Sequence, residues 1–526
     1  MRHRPGKGRG LRSAALFATA ALLISPLLLG RTITVDDNGP AEFSSIQAAI
    51  DAAVPGDLVS VAAGTYNENL TFKNGVSVVG VGSSVTTLNG GGLSSAATLL
   101  NCESDTRLQG FRITNGRALF GGGVRIEGGA PIITLNLITG NSAVGTALYY
   151  SFGGGVSTYY SDAEITANTF SSNTAENGAG ISLVGGRPML SRNILTGNTA
   201  TFYGGAVYAF SPAATNMTIS GNMLSSNRAE AGAGMEIAGA GDPLVTNNLI
   251  TGNTATGTGG YASFGGGIEV FGSGARVLNN TLAGNRADAG GGAAITVQDQ
   301  TTLLANNVVY NNRGDAEAGG FYLAAASADI LNNIFHLNVP DRCGTDVLEQ
   351  CSSTFANLST DPFLVNPTGG DYRVGPISPA IDSGLARDLS LNQPVPLDDL
   401  RGQQRPLDGN NNRDARFDRG AYEFDRGDVL RLRFASPSTL TWDAAVEALT
   451  TYRVYSGAIS TLATDGVNTC RAAEDPNLAD LTFVESTTPP PGSSRAYLVT
   501  AVTGGLEGTA GFDSLGLVRL LPAPCP

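Results

Sequence analysis

The sequence predicts an all-β chain dominated by a parallel β-helix solenoid, and three observations predict it. Between Gly121 and Asn338 one phrase is repeated eight times: glycines, a short apolar strand, then Asn-x-aliphatic-x-x-Asn. It runs from Asn136-Leu-Ile-Thr-Gly-Asn141 through Asn193-Ile-Leu-Thr-Gly-Asn198 to Asn333-Ile-Phe-His-Leu-Asn338, and its first Asn recurs every 25 to 32 residues. A fixed period of that size is the signature of a solenoid. The apolar pieces are three to five residues long and rich in Val, Ile and Leu, which excludes helical repeats, whose units need ten or more residues at a 3.6 period. Asn tolerates left-handed φ and can bond the same amide one coil up, so it is expected at the turns and in a ladder, with Gly supplying other turns.

The first 30 residues read as a leader. Arg2, Arg4, Lys7, Arg9 and Arg12 precede an apolar run from Ala14 to Leu29, the pattern of a secretory signal peptide. A retained single-helix anchor is the alternative. No later stretch has the roughly 20 apolar residues that span a bilayer. Removing the five basic residues takes the formal charge from −13 to −18. So acidic a chain lacks the clustered Lys and Arg that nucleic acid requires. Lys73 is then the only lysine and His336 the only histidine, which excludes phosphate loops and makes a His-based zinc site or triad unsupported. Five cysteines behind an export signal suggest an oxidising compartment. Cys343 can staple to Cys351 and Cys470 to Cys525, leaving Cys102 as a buried apolar side chain or a reactive thiol.

Within residues 31–340, assigned to the solenoid, a helix is expected over about 43–54. Ile46, Ala49, Ile50 and Ala53 fall on one face, with Ser44 or Ser45 as N-cap. Such a helix would cover the apolar cross-section at the open end. Ser45-Ile-Gln-Ala-Ala-Ile-Asp51, followed by Gly64-Thr-Tyr-Asn-Glu68, resembles the start of pectin-lyase-like proteins, including pectin methylesterases. The resemblance implies a right-handed parallel β-helix with an N-terminal capping helix. It implies no esterase activity, because the esterases' Asp-x-aromatic-x-Gly phrase is absent here. The paired phrases Phe170-Ser-Ser-Asn173 and Gly204-Gly-Ala-Val207 also look like the repeats of polymorphic outer-membrane adhesins, which implies surface display.

After Val339 come Asp361-Pro-Phe, Asp371-Tyr-Arg-Val, Ser378-Pro-Ala-Ile-Asp-Ser-Gly384, Arg401-Gly-x-x-Arg-Pro406 and Gly420-Ala-Tyr-Glu-Phe424. In that order they resemble the carboxyl-terminal segment of bacterial "choice-of-anchor Q" proteins. The resemblance implies an exported, surface-associated protein, with residues 341–427 covering the far end of the solenoid. Residues 428–526 carry Leu440-Thr-Trp-Asp443, Tyr452-Arg-Val-Tyr455 and Ala496-Tyr-Leu-Val-Thr-Ala501. These resemble a small fibronectin type III-like β-sandwich, with Trp442 and Tyr497 in its core.

Candidate site residues follow from strand alternation. With Val124/Ile126, Met235/Ile237 and Ile268/Val270 pointing inward, their neighbours point outward. Alignment on the glycines gives an exposed row of Arg125, Ser157, Ser182, Tyr208, Glu236, Glu269 and Tyr322, and a second of Glu127, Tyr159, Phe210 and Phe271. Glu236 and Glu269 fall one rung, about 4.8 Å, apart. Retaining glycosidases hold two carboxyls about 5–5.5 Å apart, with repulsion raising one pKa, so the pair is the catalytic candidate. The alternative is two side chains splayed into solvent. Tyr159, Tyr208, Phe210, Phe271 and Tyr322, with Arg125, form a ligand-binding strip on which sugar rings could stack, or else an aromatic ladder that only stabilises the sheet. Polyuronate lyases of this fold use Ca²⁺ and an arginine base, and here Arg125 stands without an aspartate cluster.

One metal candidate lies elsewhere. Asp408, Asn410, Asn412 and Asp414 place oxygens at alternate positions, with Asp418 beyond. Alternate oxygens converge on Ca²⁺ in Asp-x-Asn-x-Asn loops, so a structural Ca²⁺ or a solvated turn is expected there. The expected function is that of a secreted or surface-displayed, monomeric protein binding a polysaccharide, a cell-surface glycan or another surface partner through one face of the solenoid. A glycoside hydrolase or polysaccharide lyase on that face is the rival.

Overall fold

The computed structural model describes residues 30–340 and 356–424, together with the strands between 430 and 507. Left out are the short stretches 213–215, 258–263, 289–291, 300, 316–317, 325, 386, 389–392, 395–396, 408 and 410–414. The leader, the Cys343–Cys351 pair, Cys525 and the loop residues Asp408, Asn410, Asn412 and Asp414 lie outside the described residues.

Four parallel sheets build the solenoid, and each full coil contributes one strand to each. In chain order they are sheet I with 12 strands (first Thr32–Val35), sheet II with 11 (first Gly64–Tyr66), sheet III with 8 (first Arg117–Ala118) and sheet IV with 10 (first Leu70–Thr71). Strands of two to five residues alternate inward and outward side chains. The inward ones stack coil on coil into one core, in which Ile133, Ile165, Leu190 and Ile219 of sheet I face Val124, Val156, Ile181 and Val207 of sheet IV. Cys102 belongs to this core and is fully buried.

The asparagines form two buried ladders, at the bends between sheets I and II and between sheets II and III. Asn198 is typical. Its Oδ1 accepts from the backbone N–H of Asn173 at 3.1 Å and from Asn173 Nδ2 at 3.0 Å. Its own Nδ2 donates to the carbonyl of Phe170 and to Asn227 Oδ1. The expected amide ladder is therefore present, but its members are not the left-handed residues. Positive φ falls on the residue before each ladder Asn: Leu135, Ala167 and Arg192 before one ladder, Ser172, Gly197 and Ser226 before the other. That residue turns the chain, and the Asn then points inward, where buried bend amides and carbonyls would otherwise lack partners.

The first open end is closed by a helix at Ile46–Ala52, shorter than expected, with Ile46, Ala49 and Ile50 buried and Ser45 as N-cap. Glu68, from the Gly64–Glu68 phrase, accepts from Ser45 Oγ and from the backbone N–H of Ile46 and Gln47. That phrase thus ties the first coil to the positive end of the cap helix.

The segment after the solenoid does more than cover the far end. Asn357 adds a last rung to one ladder, and Val374, Ala380 and Phe424 pack on Ile334. The chain then runs back along the outside of the bend between sheets I and II. There the left-handed residues Asn332, Asn306, Asn279 and Asn247 donate their amides to the carbonyls of Ser383, Leu385, Asp418 and Asp398. Two of the carboxyl-terminal phrases meet in a fully buried ion pair, Arg405 Nε to Glu423 Oε2 at 3.0 Å. Arg405 also donates to Asn247 Oδ1 and to the carbonyl of Gly420. The expectation of an end cover is corrected to an end cover plus a side belt.

Beyond it, two antiparallel sheets of three and four strands enclose Leu440, Tyr452, Val454, Phe483 and Val499, with Tyr497 packed against them. The side chain of Trp442 is outside the described residues.

Because Asn198 bonds groups on two coils, Asn198→Ala leaves the buried N–H of Asn173 without a partner and removes one bond to the Phe170 carbonyl. The expected loss is about 2–3 kcal/mol, at roughly 1–3 kcal/mol for an orphaned buried group. The exposed amide ladder of Asn67, Asn89 and Asn115 can be bonded by water, so Asn89→Ala should stay within about 0.5 kcal/mol. Urea unfolding of the two variants measures the difference.

Candidate functional site

The outer face of sheet IV carries the rows drawn from the sequence, in the same register. Arg125, Ser157, Ser182, Tyr208, Glu236 and Glu269 stand abreast on successive strands, and Thr296 and Tyr322 complete the row. Thr296 and Gln298 were missed because their coil is led by Gly-Gly-Ala-Ala rather than by a glycine pair directly before the strand. In the second row Tyr159, Val184, Phe210, Ala238, Phe271 and Gln298 follow Glu127.

The first row is not exposed as expected. Glu236 and Glu269 are only 4% and 3% accessible, and Ser157, Ser182 and Thr296 are buried too. The cause is the glycine turn that leads into each strand. It folds back on its own strand so closely that a Cβ on Gly232, at φ +57°, would lie 2.7 Å from Glu236 Oε2. The backbones of Gly265 and Gly292 donate to Thr296 Oγ1 in the same way. Alternation sends the first outward side chain off the core, and the turn then covers it.

The two carboxyls lie against each other under that cover. Their Oε2 atoms have no N–H or O–H partner, while Glu269 Oε1 accepts from Gln298 Nε2. Burial, and then the charge of Glu269, holds Glu236 well above the usual carboxylate range; burial pushes Glu269 up to about 7. Buried together on adjacent strands, the two cannot both ionise, so one of them keeps its proton. Their burial leaves no opening for a sugar, whereas a retaining pair stands about 5–5.5 Å apart with substrate in between. The expectation that Glu236 and Glu269, the catalytic candidates, are exposed is corrected: they form a buried pair.

Four of the six ligand-binding candidates do come together. Arg125, Tyr159, Tyr208 and Phe210 line a cleft of about 440 Å³ with Phe120, Phe152, Ser157 and Val184. Tyr208 and Phe210 lie nearly parallel, centroids 6.5 Å apart at 9°. Phe120 and Phe152 stack across coils at 6.1 Å, and Phe152 tilts onto Tyr208 at 5.7 Å. Burial raises the Tyr208 phenol, with the charge of Glu236 adding to it, so its hydroxyl remains a neutral donor. Arg125 is tied to Glu127, its Nε donating to Oε1 at 2.9 Å. The cleft is aromatic, nearly uncharged and mostly apolar.

The other two candidates stand apart. Phe271 is half exposed two coils beyond Phe210, and Tyr322 stacks on Phe264 at 6.3 Å and 11°. Phe120 and Phe152 were overlooked, although the signal was present: Phe120, Phe152, Tyr203 and Phe264 each directly precede a glycine turn.

A family model described as "Right handed beta helix region" matches residues 74–282 and 154–360, together more than half of the chain. The chain belongs to the right-handed β-helix family. No curated protein matches it. Among solved structures it is similar to pectate lyase Pel9A, at 15% identity and TM-score 0.34, covering 75% of this chain and 96% of that one. It is also similar to the PL6 family alginate lyase AlyGC, at 15% identity and TM-score 0.27, covering 55% and 50%. An alginate lyase from Paenibacillus sp. str. FPU-7 follows at 13% and 0.25, covering 57% and 95%. These β-helix structures carry no argument about the chemistry of this chain.

Among the described residues no group of three or more His, Cys, Asp and Glu side chains is arranged to hold a metal, and no helix is long and apolar enough to cross a membrane. Asp418, the oxygen donor beyond the candidate calcium loop, lies in the side belt. It is buried, and its two oxygens accept from the backbone N–H of Asp382 at 2.7 Å and of Phe424 at 2.6 Å. Burial, then the charge of Glu423, raises it well above the usual carboxylate range. It fastens the side belt.

The retained proton makes this β-helix sensitive to pH. Glu236 and Glu269 are raised above the 4.5 of an unperturbed Glu, so the unfolded chain releases protons that the native state keeps. Their contribution to stability is complete below about 4.5 and is lost as pH rises through about 7, at about 1.4 kcal/mol per pH unit for each proton. Glu236→Gln/Glu269→Gln removes that dependence. Melting temperatures from pH 5 to 8 should therefore fall more steeply for wild type than for the double variant.

Proposed function

We propose that this β-helix protein binds a neutral glycan in the sheet IV cleft, without turnover. The observation that carries the reading is the cleft itself. Flat aromatic faces from Tyr208, Phe210 and Phe152 suit the apolar faces of sugar rings, and hydroxyls at Ser157, Tyr159 and Tyr208 lie among them. Arg125 is neutralised by Glu127, so a polyanion gains little there, and an acidic chain repels one. The carboxyl pair of Glu236 and Glu269 on this face is buried, which disfavours the rival hydrolase or lyase reading.

In the wider reading the chain is exported and surface-associated, and acts as a monomer. Residues 341–427 serve as a choice-of-anchor Q-like segment and the following sandwich as a fibronectin type III-like spacer. The loop of Asp408, Asn410, Asn412 and Asp414 offers oxygens to a structural Ca²⁺, without Asp418.

A glycan array paired with a panel of neutral polysaccharides tests the cleft. The expected outcome is binding that falls about tenfold in Tyr208→Ala or Phe152→Ala, since an aromatic contact contributes about 0.5–1.5 kcal/mol beyond its buried area, with no sugar released. Reducing or unsaturated ends that disappear in Glu236→Gln or Glu269→Gln would overturn it.

A further inference from the structure

Tyr208, on the floor of the cleft, stands directly opposite Glu236 on the next coil, and Glu236 opposite Glu269 on the one after. Among the described residues the pair meets neutral or acidic groups. Tyr208 faces it from the strand Val207–Ser211, and Thr296 and Gln298 from Ile295–Gln298. Over Glu236 lies the glycine turn at Gly232, which carries Glu230 two residues earlier and whose Ala231 bridges to Tyr203 on the coil before. Along the row the first cation is Arg125, four coils away and already held by Glu127. Two carboxylates placed here would be buried, one rung apart and without a counter-charge. Two oxygens, Glu236 Oε2 and Glu269 Oε2, would have no donor, a costly arrangement in a low-dielectric site. One proton between them turns the repulsion into a hydrogen bond across the two coils.

We propose that this proton is a latch on the cleft: while Glu236 and Glu269 share it the coils stay closed and Tyr208 is seated, and its loss parts the coils at Glu236 and unseats the cleft floor. The glycan reading supplies the ligand of the cleft, while the latch itself is a property of the protein alone. The glycine turn gives the mechanism its force. Its backbone lies against Glu236 and blocks the side chain from swinging out to water, so the repulsion is relieved only by movement of strands.

Amide hydrogen exchange of the intact protein, followed by mass spectrometry at pH 5.5 and 8.5 and normalised to intrinsic rates, tests the latch. Peptides covering residues 207–211 and 235–239 should lose at least tenfold in protection at pH 8.5 in wild type. They should keep it in E236Q/E269Q, while the sheet II strand Thr169–Ser171 is unchanged in both. Protection that is independent of pH in wild type, or lost equally in the double variant, overturns the latch. Should the variant fail to fold, the wild-type contrast between residues 207–211 and 169–171 decides alone. Cellohexaose titrated by calorimetry at the two pH values serves as the probe of the cleft. Weaker binding at pH 8.5 in wild type only is expected. Equal binding at both values, with exchange rising, overturns the link from latch to cleft. Absence of binding at both, with the exchange result intact, counts against the glycan reading and leaves the latch standing.

Discussion

Everything in this protein depends on the amide of one asparagine reaching the next coil. Each tight bend between sheets turns backbone N–H and C=O groups into the interior, where water cannot serve them. In the ladders from Asn136 to Asn357 and from Asn141 to Asn338, every Oδ1 takes up a backbone N–H of the coil before it and, after the first rung, a side-chain N–H as well, and every Nδ2 returns a bond to a carbonyl. The bonds run along the solenoid axis, so they hold coils together and also forbid slippage. A one-residue slip would send the whole inward set of Ile, Leu and Val out of the core.

Fixed register has a functional consequence, because it lines up outward side chains as strictly as inward ones. Phe120 over Phe152, Phe152 against Tyr208, and Glu236 against Glu269 are contacts between residues 32 to 56 positions apart in sequence, made neighbours by stacking alone. The same regularity lets the carboxyl-terminal segment read the outside of a bend. Four coils carry Asn at the left-handed position where earlier coils carry Leu135, Ala167 and Arg192, and the segment lies where those four amides are. Removing one partner of the Arg405–Glu423 pair that locks it would strand a buried charge.

Much of this was legible in residues. Period and strand length identified the solenoid, Ile46, Ala49 and Ile50 the cap helix, and glycine alignment the two rows of sheet IV, since β-strand alternation is a local rule. What alternation cannot express is what lies over a side chain. Glu236 and Glu269 read as exposed because the turn that covers them is made of glycines, which leave no pattern of their own. The path of the side belt was illegible for another reason. Its bonds, such as Asn247 to Asp398 and Asn279 to Asp418, join residues 151 and 139 positions apart, with no shared periodicity between the partners. The aromatics before four of the glycine turns, by contrast, were available to a reader, and two of them, Phe120 and Phe152, mark the wall of the cleft.

The central claim is that the coils stack with Tyr208, Glu236 and Glu269 abreast, and cysteine cross-linking measures it directly. Adjacent parallel strands lie about 4.8 Å apart, inside the Cα range a disulfide accepts, while strands two coils apart lie at about twice that spacing, outside it. Oxidation of Tyr208→Cys/Glu236→Cys should give the 208–236 linked peptide in high yield, and Tyr208→Cys/Glu269→Cys should give none. Efficient linkage of the second pair, or failure of the first in a folded protein, would contradict the stacking on which the cleft and the shared proton both rest.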